Sequence, residues 1–284
     1  MLNLPNLNES NKIVIELIKS NKSFAIGRLG IGEALLFYKL VNSLQVDMLE
    51  VKKFKDFGGV YGDCFKEFIE EYFLSMNNMD YHCFWKDITP EFNRQQDDLY
   101  TKIGMKDSML PFEVIEPYYC DVYDDVEEPW SKYLSGKKVL VINPFANSMS
   151  LQYKIKDKIW KNPHMLPDFE MIPYVSVQST CDLNPHSSWV ESLSHMKNEI
   201  SEIDFDIALL GCGCYGLPLC NFIKTELNKS AIYIGGALQI LFGIKGSRWD
   251  GMSKINQFYN ENWIRPSDEE RPNKFYTLEG GCYW

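Results

Sequence analysis

Between Lys137 and Gly236 the chain alternates short apolar runs with longer amphipathic stretches. "KKVLVINPF", "FEMIPYVSV", "FDIALLG" and "SAIYIGG" are rich in β-branched and aromatic residues and predict strands. "SLQYKIKDKIW", "SSWVESLSHMKNEISEI" and "LPLCNFIKTEL" carry apolar positions at helical spacing and predict helices. Strands separated by helices of about ten or more residues imply a mostly parallel, Rossmann-like α/β sheet with helices on both faces.

The first half is less regular. Glu9 to Lys19 predicts a helix, "SFAIGRLG" a strand, and "GEALLFYKLVN" a helix starting directly after Gly32. Between Val51 and Pro129, "KEFIEEYFLSMNNM" and "EFNRQQDDLYTKI" predict helices and "DYHCFW" a strand, interrupted by Pro111, Pro117 and Pro129. The acidic run "DVYDDVEEP" reads as a solvated connection. We therefore expect one domain over residues 1–284, with a mainly helical N-terminal and middle extension and residues 51–130 as an irregular helical insertion.

In a parallel sheet, ligands sit at the carboxyl ends of the strands. That rule places residues 143–147, 177–180, 211–216 and 235–239 on one rim. Gly211, Gly213 and Gly216 fit G-x-G-x-x-G between a strand and a helix, where glycine permits a tight turn and the helix amino end favours an anion. A nicotinamide site calls for an acidic residue at the end of the next strand, yet "AIYIGG" ends in Gly235 and Gly236. A methyl-donor site of the common kind calls for an acid just before the first glycine, where Leu209 and Leu210 stand.

Two further stretches carry chemistry. In "FAIGRLGIGEALLFYK", Arg28 and Glu33 flank Gly30 and Gly32 at a strand-to-helix corner; Arg suits a bidentate grip on phosphate, and Glu in a first helical turn also reads as a dipole-complementing cap. In "GGALQILFGIKGSRWDG", Lys245 and Arg248 can neutralise a departing diphosphate and Trp249 can stack on a sugar or base; surface cations with a packing tryptophan read equally well.

Composition narrows the partners. The chain has 284 residues, enough for a full core, and a net charge of -10 argues against nucleic acid, so any phosphate site must be local. No stretch is long and apolar enough to span a membrane, and the amino terminus lacks a secretory pattern, so a cytoplasmic protein is expected. The eight cysteines show no metal or disulfide spacing.

Taken together, "RLGIGE", "VLVINPFANSM", "SVQST" with "SWVESLSHMKNEI", "FDIALLGCGCYGLPLCNFIK", "GGALQILFGIKGSRW" and "ENWIRP" resemble, in the same order, the GT-D type bacterial glycosyltransferases of capsule and surface-polysaccharide gene sets. The resemblance implies a hexosyltransferase-like enzyme that moves a sugar from a nucleoside-diphosphate sugar to a glycan or a lipid-linked acceptor, at the inner face of a membrane in the latter case. By motif it implies Glu33 and Arg28 as catalytic residues; on that scheme Gly30, Asn143, Gly211, Gly213, Gly216, Gly235, Gly236, Gln239, Lys245, Arg248 and Trp249 are the expected nucleotide-sugar contacts, and His186 in "NPHSSW" reads either as a second catalytic base or as a capping or surface residue. The family's Asp-x-Glu marker, associated with divalent metal such as Mn or Mg, carries over only as Glu33, because the Asp position is Ile31. The competing readings are a Rossmann-type NAD- or S-adenosylmethionine-dependent enzyme and a catalytically inactive sugar-nucleotide binder.

Overall fold

A run such as Val139-Leu140-Val141-Ile142 can be apolar at every position only if both sides of its strand are covered. The computed structural model, which describes residues 4–20, 22–86, 88–122, 126 and 128–284, shows that arrangement. The strands are β1 (Ala25–Arg28), β2 (Tyr81–Phe84), β3 (Met109–Pro111), β4 (Lys138–Asn143), β5 (Glu170–Val175), β6 (Ile207–Leu210) and β7 (Ser230–Tyr233). They form one sheet in the order β3-β2-β1-β7-β6-β4-β5, every neighbouring pair parallel.

The longer helices are α1 (Leu7–Lys19), α2 (Ile31–Val41), α3 (Met48–Gly58), α4 (Phe65–Asn78), α5 (Pro90–Lys102), α6 (Ala146–Tyr153), α7 (Trp189–Ser201) and α8 (Gly216–Thr225). Alternation along the strands feeds two cores. Val139, Val141, Ile207 and Leu209 pack with α1 and α6 on one face. Leu140, Ile142, Ala208 and Leu210 pack with α2, α4, α5, α7 and α8 on the other. The fold is thus the mixed α/β architecture expected, with extra helices outside the sheet.

Several boundaries differ from the pattern-based expectation. Residues 51–130 carry α3, α4 and α5 and two strands of the sheet, β2, expected from "DYHCFW", and the edge strand β3, which the pattern did not mark. The helix expected from Gly32 starts at Ile31 with Gly30 as its N-cap, which places Glu33 at the third helical position. β5 is the other edge strand, so its outward side chains are exposed and Pro173 is tolerated. Of the acidic run, Asp121 is exposed and Glu128 half-buried, while residues 123–125 and 127 lie outside the described residues.

The topology makes a crevice. β4 passes through α6 to β5 on its outer side, whereas β6 passes through α8 to β7 on the inner side. α6 and α8 lie on opposite faces, so the chain parts between the carboxyl ends of β4 and β6, where open α/β sheets receive ligands.

Candidate functional site

Asn143 closes the floor of this crevice. It is the last residue of β4 and is buried; its Nδ2 donates to the Gly211 carbonyl at 2.8 Å and its Oδ1 accepts from the Phe145 amide at 2.8 Å. A Cβ at Gly211 would meet the Asn143 amide at 2.6 Å and the Gly235 carbonyl at 2.6 Å, so this glycine exists for a close approach of three loops. Gly216 lies under the Tyr233 ring, whose hydroxyl donates to the Gly213 carbonyl at 2.9 Å. The third glycine of the motif is therefore a helix-to-strand packing position.

Gly213 is different. Its φ is +57°, it is exposed, and a Cβ there would meet nothing within 4 Å. Of the three motif glycines, this one leaves the main chain open to an incoming group. The carbonyls around it are engaged internally, that of Cys212 by the Tyr215 amide and that of Cys214 by the Tyr72 hydroxyl at 3.0 Å.

The β1–α2 corner reaches the same place. The Glu33 side chain folds over Gly30 and accepts from the Cys214 thiol at 3.4 Å, joining the α2 amino end to the glycine corner. Among the described residues no side-chain capping hydrogen bond forms at the start of α2. Burial pushes the Cys214 thiol well above its usual range, and the neighbouring Glu33 carboxylate adds to the shift. The phenols of Tyr72 and Tyr233 are likewise raised by burial, with Glu33 contributing. These groups stay protonated and carry no negative charge.

Arg28 lies across Gly235, whose φ of +81° and missing side chain make room for the guanidinium. Its Cζ is 5.0 Å from the Trp85 ring centroid and 5.8 Å from that of Tyr233, and its buried Nε has no hydrogen-bond partner among the described residues. A cation beside two aromatic rings, with an unpartnered donor, suits an anion.

Sequence reasoning missed Glu116, which follows β3 in the stretch without clear periodicity. It is 6% exposed and accepts from the Tyr118 hydroxyl at 2.6 Å. Burial pushes its carboxyl up to about 7, while the Tyr118 hydrogen bond and the charges of Arg28 and Arg248 pull the other way. A glutamate before a proline gives no sequence signal of burial.

The carboxyl-terminal segment covers the β7 side. Tyr283 lies on Gly236, Trp284 packs edge-on against Phe145 at 5.6 Å, and the Gln239 side chain donates to the Tyr283 carbonyl at 3.1 Å. Arg248 pairs with Glu279 and sits 4.6 Å from the Tyr283 ring, while Trp249 is only 5% exposed. Glu270 accepts from the amides of Asn147 and Ser148 at 3.1 Å each, so the amino end of α6 already holds the chain's own carboxylate.

Of the residues nominated from sequence, Arg28, Gly30, Glu33, Asn143, Gly211, Gly213, Gly216 and Gly235 converge on one corner. Gly236, Gln239, Arg248 and Trp249 gather beneath the terminal segment. Lys245 points toward Tyr259, its ammonium 5.7 Å from that ring. His186 is built into the α7 start: its Nδ1 meets the Ser192 hydroxyl at 2.8 Å and its amide donates to the Tyr61 hydroxyl at 3.0 Å.

For a divalent ion the donor set is thin. Glu33 offers one carboxylate beside a protonated thiol, Ile31 offers no ligand, and among the described residues no group of three His, Cys, Asp or Glu is disposed to hold a metal. Mg or Mn sites commonly use one or two carboxylates with substrate phosphates. Glu33 supplies one such carboxylate at this corner, and Arg28 supplies a cation at the neighbouring Gly235.

The crevice lies in a mostly parallel α/β sheet, and comparison with known families matches that part of the chain. The model of the GT-D fold-like domain matches residues 125–241, from before β4 through β7 and the short helix Leu238–Leu241. Those residues form a GT-D-like domain; Arg28, Glu33, Lys245, Arg248 and Trp249 lie outside the match. No curated protein and no solved structure matches the chain.

Proposed function

We propose that the protein is a glycosyltransferase that moves a sugar from a nucleoside-diphosphate sugar to a glycan or lipid-linked acceptor in surface-polysaccharide synthesis. One observation carries the reading: Arg28 and Glu33, from a corner outside the GT-D-like region, reach Gly235 and Cys214, inside it, at the crevice end of the sheet. A cation and a carboxylate then flank the open main chain at Gly213.

In this scheme the diphosphate lies over Gly213, with the Arg28 guanidinium balancing its charge as the bond from the anomeric carbon to the diphosphate oxygen breaks. The acceptor hydroxyl oxygen forms the new bond to that carbon and gives its proton to Glu33. The protonated Cys214 and Tyr72 groups keep the surroundings of Glu33 free of a second negative charge. Asn143 acts by fixing the Gly211 turn, and Arg248 adds positive charge from beneath the terminal segment.

The test is a screen of nucleoside-diphosphate sugars, with and without manganese, for release of nucleoside diphosphate. Turnover of one donor supports the proposal; stabilisation by NAD or S-adenosylmethionine and by no nucleoside diphosphate overturns it. A second reading, a sugar-nucleotide binder without catalysis, draws on the exposed Ile31 side chain at the position of the family's Asp. Donor binding with no turnover on any acceptor would select it.

A further inference from the structure

α3 buries none of its residues, which is unusual for a helix packed beside a core. Its inner side is held by the Phe54 ring, 5.8 Å from Phe68 and 6.1 Å from Phe65, and by the ion pair of Glu50 with Lys39 of α2. Helical spacing then turns Met48, Leu49, Lys52, Lys53 and Asp56 away from Phe54. Met48 is 81% exposed and Leu49 63%, with Leu44 before the helix and Phe57 near its end about half exposed. Water is a poor partner for that face.

We propose that α3 is a membrane-contact helix that seats the protein on an anionic lipid surface. Lys52, Lys53 and Lys55 are exposed and form no ion pair among the described residues, although the chain as a whole carries -10. Of the acids nearby, Asp47 caps the helix and Glu50 is paired, leaving Asp56 on the outer face. Exposed apolar side chains interleaved with free lysines match the boundary between acyl chains and anionic headgroups. A second copy of the chain fits worse, because a two-fold contact through α3 would set these lysines against themselves.

The placement has a consequence for the crevice. α3 runs antiparallel to α2, with Glu50 beside Lys39 and Phe54 beside Gly32, and a Cβ at Gly58 would lie 2.7 Å from the Cys214 sulfur. A helix lying on the headgroups thus brings the Glu33–Cys214 corner to the lipid surface. This inference is independent of the sugar-transfer proposal, since vesicle binding is read without any donor.

The experiment is co-sedimentation of the full chain with vesicles of phosphatidylcholine plus phosphatidylglycerol, and of phosphatidylcholine alone. The wild type should pellet with the anionic vesicles, less as salt rises. The pairs Met48→Glu with Leu49→Glu, and Lys52→Glu with Lys53→Glu, should each lower partitioning by about tenfold or more with melting temperature unchanged. Failure of the wild type to pellet with anionic vesicles, or pelleting of both variants to the same extent as the wild type, overturns the proposal. So does a dimer that Met48→Glu with Leu49→Glu splits while no form pellets, which would assign the face to a second copy.

Discussion

The Cys214 sulfur lies 3.4 Å from a carboxylate oxygen of Glu33, across 181 residues of sequence. The contact locks two strand-to-helix corners together, and it keeps the thiol protonated because burial and the carboxylate act in the same direction. All eight cysteines are buried and free. Since the thiolate is the reactive form, alkylation of the folded protein at mildly alkaline pH should label Cys214 far more slowly than in denaturant. Mass mapping of Cys214 after brief iodoacetamide treatment checks this; rapid labelling of that residue in the native protein would place the corner in water.

The motif glycines should separate in stability and binding. Gly216→Ala drives a methyl group into the Tyr233 ring and should cost about 1–3 kcal/mol in denaturant unfolding. Gly213→Ala meets no neighbour, so only its positive φ is penalised, about 1 kcal/mol. Nucleoside diphosphate affinity should nevertheless fall more in Gly213→Ala. Equal unfolding costs with unchanged affinity would remove Gly213 from the site.

Glu116 gives stability a pH signature. An unfolded glutamate titrates near about 4.3, whereas burial holds the folded group up to about 7. Between these values the folded state binds more protons than the unfolded one, so its stability falls as pH rises. The full loss, up to about 4 kcal/mol, is reached above pH of about 7. Buried His82, lowered to about 4 by desolvation, works in the opposite sense, losing stability as pH falls below about 6.5. The difference between the wild type and Glu116→Gln isolates the glutamate. Glu116→Gln should gain stability relative to the wild type as pH rises from about 5 to about 8; parallel profiles would contradict the raised carboxyl.

A substitution at position 31 tests metal dependence. Ile31 is 41% exposed at the first position of α2, where an acid also complements the helix dipole, so Ile31→Asp should fold normally. With Glu33 two residues away, it should bind manganese more tightly than the wild type, read as a larger rise in melting temperature on adding the ion. No difference between the two proteins would show that position 31 does not face Glu33's carboxylate.

Much of this was legible in the sequence for a definite reason. β4, β6 and β7 are short apolar runs ended by Asn or Gly, so the sheet and its rim follow from pattern alone. β3 is three residues long and α3 buries nothing, so neither leaves an apolar period to read. The glycines marked where the backbone is crowded but not what crowds it. Asn143 at Gly211, Tyr233 at Gly216, Arg28 at Gly235 and Tyr283 at Gly236 come from other parts of the chain. Glycine spacing is the same whether a phosphate or a tyrosine ring fills the gap. Glu116 and Glu270 escaped for the related reason that only tertiary packing gives them partners.

The most direct measurement compares wild type and Glu33→Gln on the same nucleoside-diphosphate sugar, reading donor binding by thermal shift and transfer by diphosphate release. The proposed mechanism predicts a retained shift with transfer lowered by about 10²-fold or more, because in it the carboxylate serves the reacting hydroxyl while Arg28 and Gly213 hold the donor. Full transfer by Glu33→Gln would contradict the account.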